Sequence, residues 1–157
     1  SLGGVIALEI AAQLEQRGYT QLQVCLLDSL YQTEVQQRVA PGMLASLLKA
    51  IGLEGDAAKR AIQAEETELS INNQAVSSPL RHTQVTLLKA MQFFDLSDSG
   101  TAEGNELLAI EDNGVGALCS SLKIVPLAAN HHSIILCHQE IAAALSAVGV
   151  SRETHPH

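Results

Sequence analysis

From Leu2 to Arg17 the chain has no proline and is rich in Ala, Leu, Ile, Glu and Gln, residues that a helix accepts at little cost. Ile6, Ile10 and Leu14 recur one turn apart beside Val5, Leu8 and Ala12, while Glu9, Gln13 and Gln16 supply a polar side. The spacing predicts an amphipathic helix that stops at Arg17-Gly18. The period then changes. Leu22-Gln23-Val24-Cys25-Leu26-Leu27 is short and nearly all apolar, as in a parallel-sheet strand covered on both faces, and it ends in Asp28-Ser29. Helix, tight turn, buried strand and an acidic residue at the strand's C-terminal end together make a unit of an open α/β sheet. Ligand and catalytic groups of such sheets gather at that edge.

Residues 30–105 read as a helical insertion between strands. Pro41-Gly42 opens an apolar-periodic segment, Met43 to Ile51, that Gly52 ends. Asp56 to about Glu66 is charged and Ala-rich, with Ile62 its only large apolar residue. Asn72 to Pro79 is polar and turn-like. Thr83 to Phe94 resumes helical spacing through Val85, Leu88 and Met91, and Asp95 to Asn105 reads as a loop. Beyond it, Leu107-Leu108-Ala109-Ile110 reads as a short strand ending in the turn Glu111-Asp112-Asn113-Gly114, followed by a short helix from Val115 to Leu122. Leu122 to Leu127 reads as a further strand, with Pro126 at its end or on a sheet edge. A helix from about Gln139 to Val148 and a tail over 149–157 close the chain.

With 157 residues, 46% of them hydrophobic, the chain can bury the core of one ordinary domain. The net charge of −8, with scattered basic residues, argues against a nucleic-acid or anionic-membrane partner. No apolar run approaches the roughly 20 residues that span a bilayer, and no leader is visible, so the expected location is cytoplasmic. Cys25, Cys119 and Cys137 lie in apolar stretches without metal-like spacing and read as reduced, buried thiols. His155 and His157 belong to the terminal tail.

Ser1-Leu2-Gly3-Gly4 is an odd way to open a helix, because two glycines in the first turn weaken it. They make sense if something passes close to the backbone there, as in the nucleophile elbow G-x-S-x-G, whose serine lies on a strained strand-to-helix turn. Ser1-Leu2-Gly3 matches the second half of that motif, with the other half expected upstream. A serine that merely caps the helix is the competing reading. Ser1-Leu2-Gly3-Gly4 followed by Val5-Ile6-Ala7-Leu8-Glu9-Ile10, then Arg17-Gly18 and Val24-Cys25-Leu26-Leu27-Asp28-Ser29, closely resembles the thioesterase domains of non-ribosomal peptide and polyketide synthetases. The resemblance is specific over residues 1–29, returns near 106–145 and is loose between. It implies a partial α/β-hydrolase fold with a mostly parallel sheet, in which this chain is the C-terminal portion starting at the elbow.

The resemblance further implies Ser1 as nucleophile, Asp28 as acid, the Leu2 backbone N–H as an oxyanion donor and a histidine after the last strand as base, in the order Ser…Asp…His. Both His131 and His132 fit the histidine motif; His138, where relatives often carry a second histidine, favours His131. Ala129 stands where the family usually has glycine. Many α/β hydrolases place the acid after the penultimate strand, which nominates Asp112 or Glu111 beside Asp28, although Asp in an Asp-Asn-Gly turn is a routine turn former. Over 30–105 the resemblance implies a lid above an acyl channel, and an ordinary helical excursion fits the same residues.

The implied reaction releases an acyl, peptidyl or polyketide chain from the phosphopantetheine thioester of a carrier domain, by water or by an internal nucleophile. No separate cofactor and no metal are expected: His131, His132 and His138 include neighbours that rarely converge on one ion. The rivals are a non-catalytic fragment of such a domain and a stand-alone editing thioesterase or esterase with the same triad.

Overall fold

The polypeptide alternates helix and strand. In chain order the elements are helix α1 (Leu2–Gln16), strand β1 (Gln23–Leu27), helix α2 (Gly55–Asn72), strand β2 (Gln84–Ala90), helix α3 (Thr101–Leu108), strand β3 (Leu122–Leu127) and helix α4 (His138–Val148). The computed structural model describes residues 2–31, 48–49, 52–72, 76–92 and 101–148. Ser1, most of the 43–51 segment, Phe93, Phe94 and the tail lie outside the described residues.

The three strands are parallel, in the order β1-β2-β3. Leu27 stands opposite Leu88, and Leu88 opposite Val125, so the three chains run in register. Period-two alternation divides the side chains between two cores. Val24, Leu26, Val85, Leu87 and Leu122 join Val5, Leu8, Ala11 and Ala12 of α1 on one face. Cys25, Leu27, Leu88, Ala90, Val125 and Leu127 join Ile134 and, from α4, Ile141 and Ala144 on the other. A parallel sheet covered on both faces by helices is the α/β layer arrangement, in agreement with the expected fold class.

Four expectations of secondary structure are corrected. The segment expected to be helical from Thr83 to Phe94 is not helical over its described part, Thr83 to Gln92: its core is β2, the central strand, which falls inside the range read as a helical insertion. Every residue from Val85 to Ala90 is buried, so apolar residues are needed on both faces and no alternation survives to separate strand from helix. The Val85–Leu88–Met91 spacing was coincidental, and the β-branched pair Val85-Thr86 was the better signal. Conversely, Leu107 to Ile110 is not a strand but the end of α3, closed by Ala109 N–H donating to the Asn105 carbonyl at 3.0 Å and Ile110 N–H to that of Leu107 at 3.2 Å. Four apolar residues in a row suit a helix terminus equally well. Thr101 to Asn105, expected in a loop, is helical too, and the helix expected over 115–122 is a single 3-10 turn, Gly116–Leu118.

Other expectations match. Gly18 has φ +90, and the Tyr19 N–H reaches back to the Leu14 carbonyl at 3.1 Å, a glycine-terminated helix end. Pro126 sits in β3, an outer strand, where its missing N–H disturbs no second ladder. The cysteines depart from expectation: read as buried, all three are free and only half-buried, and that burial raises the thiol pKa of Cys25 and of Cys119.

The polar side of α1 has work beyond solvation. Glu9 accepts the Ser77 N–H at 2.8 Å, and Gln16 reaches the Ser78 hydroxyl at 3.1 Å. Glu15 accepts the Arg81, His82 and Thr83 N–H groups at 2.8, 2.9 and 2.6 Å and the Thr83 hydroxyl at 2.6 Å. These bonds staple the entry of β2 to α1. Partial burial alone raises the Glu15 pKa, but the Thr83 hydroxyl and the three backbone donors outweigh it and hold the pKa at about 2. A depressed carboxylate pKa stabilises the fold above its unfolded value of 4.5, and that stability is lost as pH falls from there toward 2. Glu15→Gln is expected to flatten this acid limb and to lower stability at neutral pH by about 1 kcal/mol. Urea midpoints measured against pH test it; parallel acid limbs for variant and parent would contradict it.

Candidate active site

The site forms at the C-terminal ends of the three strands. Asp28 follows β1 directly, and its N–H still belongs to the ladder, donating to the Leu88 carbonyl at 2.8 Å. Its φ of +45 then breaks the strand, a left-handed conformation that Asp and Asn tolerate better than most side chains. One carboxylate oxygen, Oδ1, accepts the N–H of Ala90, the last residue of β2, at 3.0 Å and the Asn113 side-chain amide at 3.1 Å. The other, Oδ2, lies 2.9 Å from Nδ1 of His131. Asp28 is 8% exposed, so the chain supplies nearly all of its partners.

His131 is delivered by the loop after β3. The ladder between β2 and β3 runs on past the strands, with Gln92 N–H donating to the Ala129 carbonyl at 2.9 Å. Asn130 then caps the next turn: its Oδ1 accepts the His132 and Ser133 N–H groups at 3.0 and 2.9 Å, while its own N–H donates to the Ser133 hydroxyl at 3.0 Å. This reciprocal cap sets His131 as the first residue of the turn. Ala129 is buried and its φ is not positive, so the position usually held by glycine accepts alanine without strain. It is the ring of His131, rather than that of His132, that meets Asp28; the two rings stand edge to face, their centroids 5.8 Å apart.

An ionised carboxylate only accepts, so Nδ1 of His131 carries the proton of this bond and the neutral ring keeps Nε2 as an acceptor. The His131 side chain is 46% exposed, open to an incoming group. The pair has the form of a base with its orienting acid.

Asp112 does different work. Its two oxygens accept the N–H groups of Gly114 at 2.9 Å and Gly116 at 3.0 Å, closing a turn. The strand before β3 is β2, so neither Asp112 nor Glu111 follows the penultimate strand.

Ser1 lies outside the described residues, but the helix it precedes is tied to the site. Gly4 packs against Ser29, next to the acid: a β-carbon on Gly4 would stand 2.5 Å from that of Ser29. The close backbone approach expected of the first-turn glycines is therefore present at Gly4, and Leu2, whose N–H was assigned to an oxyanion hole, is the first residue of the same helix.

Asn113 and Lys89 were missed by sequence reasoning. Asn113 is 2% exposed with φ +52, and an Asn-Gly pair signals only a turn. Lys89, 3% exposed on β2, donates from Nζ to the carbonyls of Leu108 and Ile110 at the end of α3. Cations suit helix C-termini. Burial lowers the Lys89 pKa, opposed by the charges of Asp28, Asp112 and Glu111. Among the described residues no group of three His, Cys, Asp or Glu side chains could hold a metal ion, and no helix is long and apolar enough to cross a membrane.

No protein-family model matches the chain. No curated protein sequence matches it either. Among solved structures it is similar to the thioesterase domain SrfTE, described in connection with cyclization of the lipopeptide antibiotic surfactin, at a TM-score of 0.54 and 16% sequence identity. The match covers 96% of this chain and 64% of that domain, so the chain spans less than two thirds of its length. The chain has the fold of part of such a domain, a partial α/β-hydrolase-type fold.

Proposed function

We propose that the chain carries the catalytic groups of a serine thioesterase acting on acyl, peptidyl or polyketide thioesters held by a carrier domain. The observation that carries this reading is the 2.9 Å pair between Asp28 and His131 at the C-terminal edge of a parallel sheet, with Ser1 directly before α1 in the sequence Ser1-Leu2-Gly3. The likeness to a thioesterase domain supports it.

In the proposed reaction His131 takes the Ser1 hydroxyl proton at Nε2 as the Ser1 oxygen attacks the thioester carbonyl. Asp28 holds the imidazole and stabilises its cation, and the Leu2 N–H serves the oxyanion. The carbon–sulfur bond breaks, the thiol of the carrier's phosphopantetheine arm leaves with the proton from His131, and an ester on Ser1 remains. Water, or a hydroxyl or amine of the acyl chain itself, then gives up a proton to His131 and attacks the ester carbonyl; the ester bond breaks, the Ser1 oxygen leaves with that proton from His131, and an acid or a ring is released. The reading calls for no further cofactor and no metal. The stretch between β1 and β2, which includes α2, is proposed as the cover of the acyl site.

A fluorophosphonate probe tests this directly. Ser1 is expected to label in the full protein, and Ser1→Ala to abolish both labelling and hydrolysis of acyl-pantetheine thioesters. Labelling of another residue, or thioester turnover that survives Ser1→Ala, would sink the reading.

A further inference from the structure

Asp28 offers its carboxylate to three donors from three places in the chain: the end of β2, the loop after β3 and the turn at Asn113. Only the last is a side-chain amide, and it is buried. The turn that carries it is tied down on all sides. The Asn113 N–H donates to the Ile110 carbonyl at 3.3 Å, and that carbonyl also takes the buried ammonium of Lys89. The Asn113 carbonyl accepts the Tyr31 N–H at 2.9 Å, in the loop just after the acid. Asp112 closes the far side through Gly114 and Gly116. A turn needing only a left-handed residue would be served by glycine; here the side chain has its amide on Oδ1.

We infer that Asn113 is a positioning residue for the acid: its Nδ2–H2 group holds Oδ1 of Asp28 so that Oδ2 faces Nδ1 of His131. The inference rests on the proposed triad, but its geometry is independent of the substrate. A carboxylate with one oxygen pinned by two donors cannot swing about its Cβ–Cγ bond, so the second oxygen stays on the imidazole. Without the amide, Oδ1 keeps the Ala90 N–H alone, and the ring loses its fixed partner for part of the time.

Asn113→Gly isolates the side chain, because glycine takes φ +52 at no steric cost and the backbone bonds to Ile110 and Tyr31 remain. In the full protein we expect kcat for an acyl-pantetheine thioester to fall about tenfold with KM nearly unchanged. The low-field NMR resonance of the His131 Nδ1 proton should move upfield and broaden, while the urea midpoint falls but the protein stays folded in the absence of urea. Asn113→Asp, which sets a second carboxylate against Oδ1, should lose more activity than Asn113→Gly. An unmoved resonance, or kcat unchanged in Asn113→Gly, overturns the inference. A parent protein without turnover whose resonance still moves in Asn113→Gly refutes the thioesterase reading and upholds the positioning role.

Discussion

Replacing Asp28 with asparagine should lower kcat by about 10^3 to 10^4 while leaving most of the fold in place. Asp28 accepts three hydrogen bonds, from the Ala90 N–H, the Asn113 amide and the His131 ring. Asparagine fills the same volume but has one oxygen and one donor nitrogen. If its oxygen stays with Ala90 and Asn113, its NH2 faces Nδ1 of His131 and drives the ring proton to Nε2. In the proposed reaction, the nitrogen that takes the Ser1 proton is then already protonated. The loss should appear in kcat rather than KM, since Asp28 acts through the His131 imidazole rather than on the substrate. Steady-state hydrolysis of an acyl-pantetheine thioester measures it; a variant within tenfold of the parent would show that Asp28 orients no catalytic base.

The largest loss of stability is expected at the middle of the sheet. Leu87 is fully buried on β2 and belongs to the core shared by α1 and the sheet. Leu87→Ala removes three carbons from a site bounded by strands on either side, where collapse is difficult, and should cost about 3 kcal/mol. For a chain of this size that is about 10 °C in Tm. Leu136→Ala is the control: that side chain is 68% exposed, and its loss should change stability by less than about 0.5 kcal/mol. Urea denaturation of both variants decides the matter, and equal midpoints would place Leu87 outside the cooperative core.

Much of this architecture was legible in the sequence wherever one periodicity acted alone. Helix α1 was legible as a helix, but not its inner face: Val5, Leu8, Ala11 and Ala12 are buried, while Ile6 and Ile10 of the expected apolar stripe are about half exposed. Strands β1 and β3 are short apolar runs between turn formers, and Asp28 and His131 follow at their C-terminal ends. Strand β2 was not legible for a physical reason. A central strand with both faces and both edges covered lacks the alternation of a half-exposed strand, so an accidental helical spacing stands unopposed. Lys89 made matters worse, since a lysine within an apolar stretch suggests a solvent-facing position, whereas here it is buried against two carbonyls. The site was readable only in part. Asp28 and His131 carry the motif, but Asn113 reaches Asp28 through tertiary folding alone, and an Asn-Gly turn announces nothing about what its amide touches. The choice between His131 and His132 likewise depended on the cap made by Asn130 and Ser133, which decides which ring is turned inward.

The contact between Gly4 and Ser29 has a bearing on how such a site could diversify. The first turn of α1 and the residue after the acid touch with no room for a methyl group between them. The helix start and the residue after Asp28 are thus one mechanical part, because the β-carbon of Ser29 is fixed by its own backbone and any side chain at Gly4 would have to push it aside. On the proposed function, change in the stretch between β1 and β2 can alter what the site admits while this joint keeps the placing of Asp28.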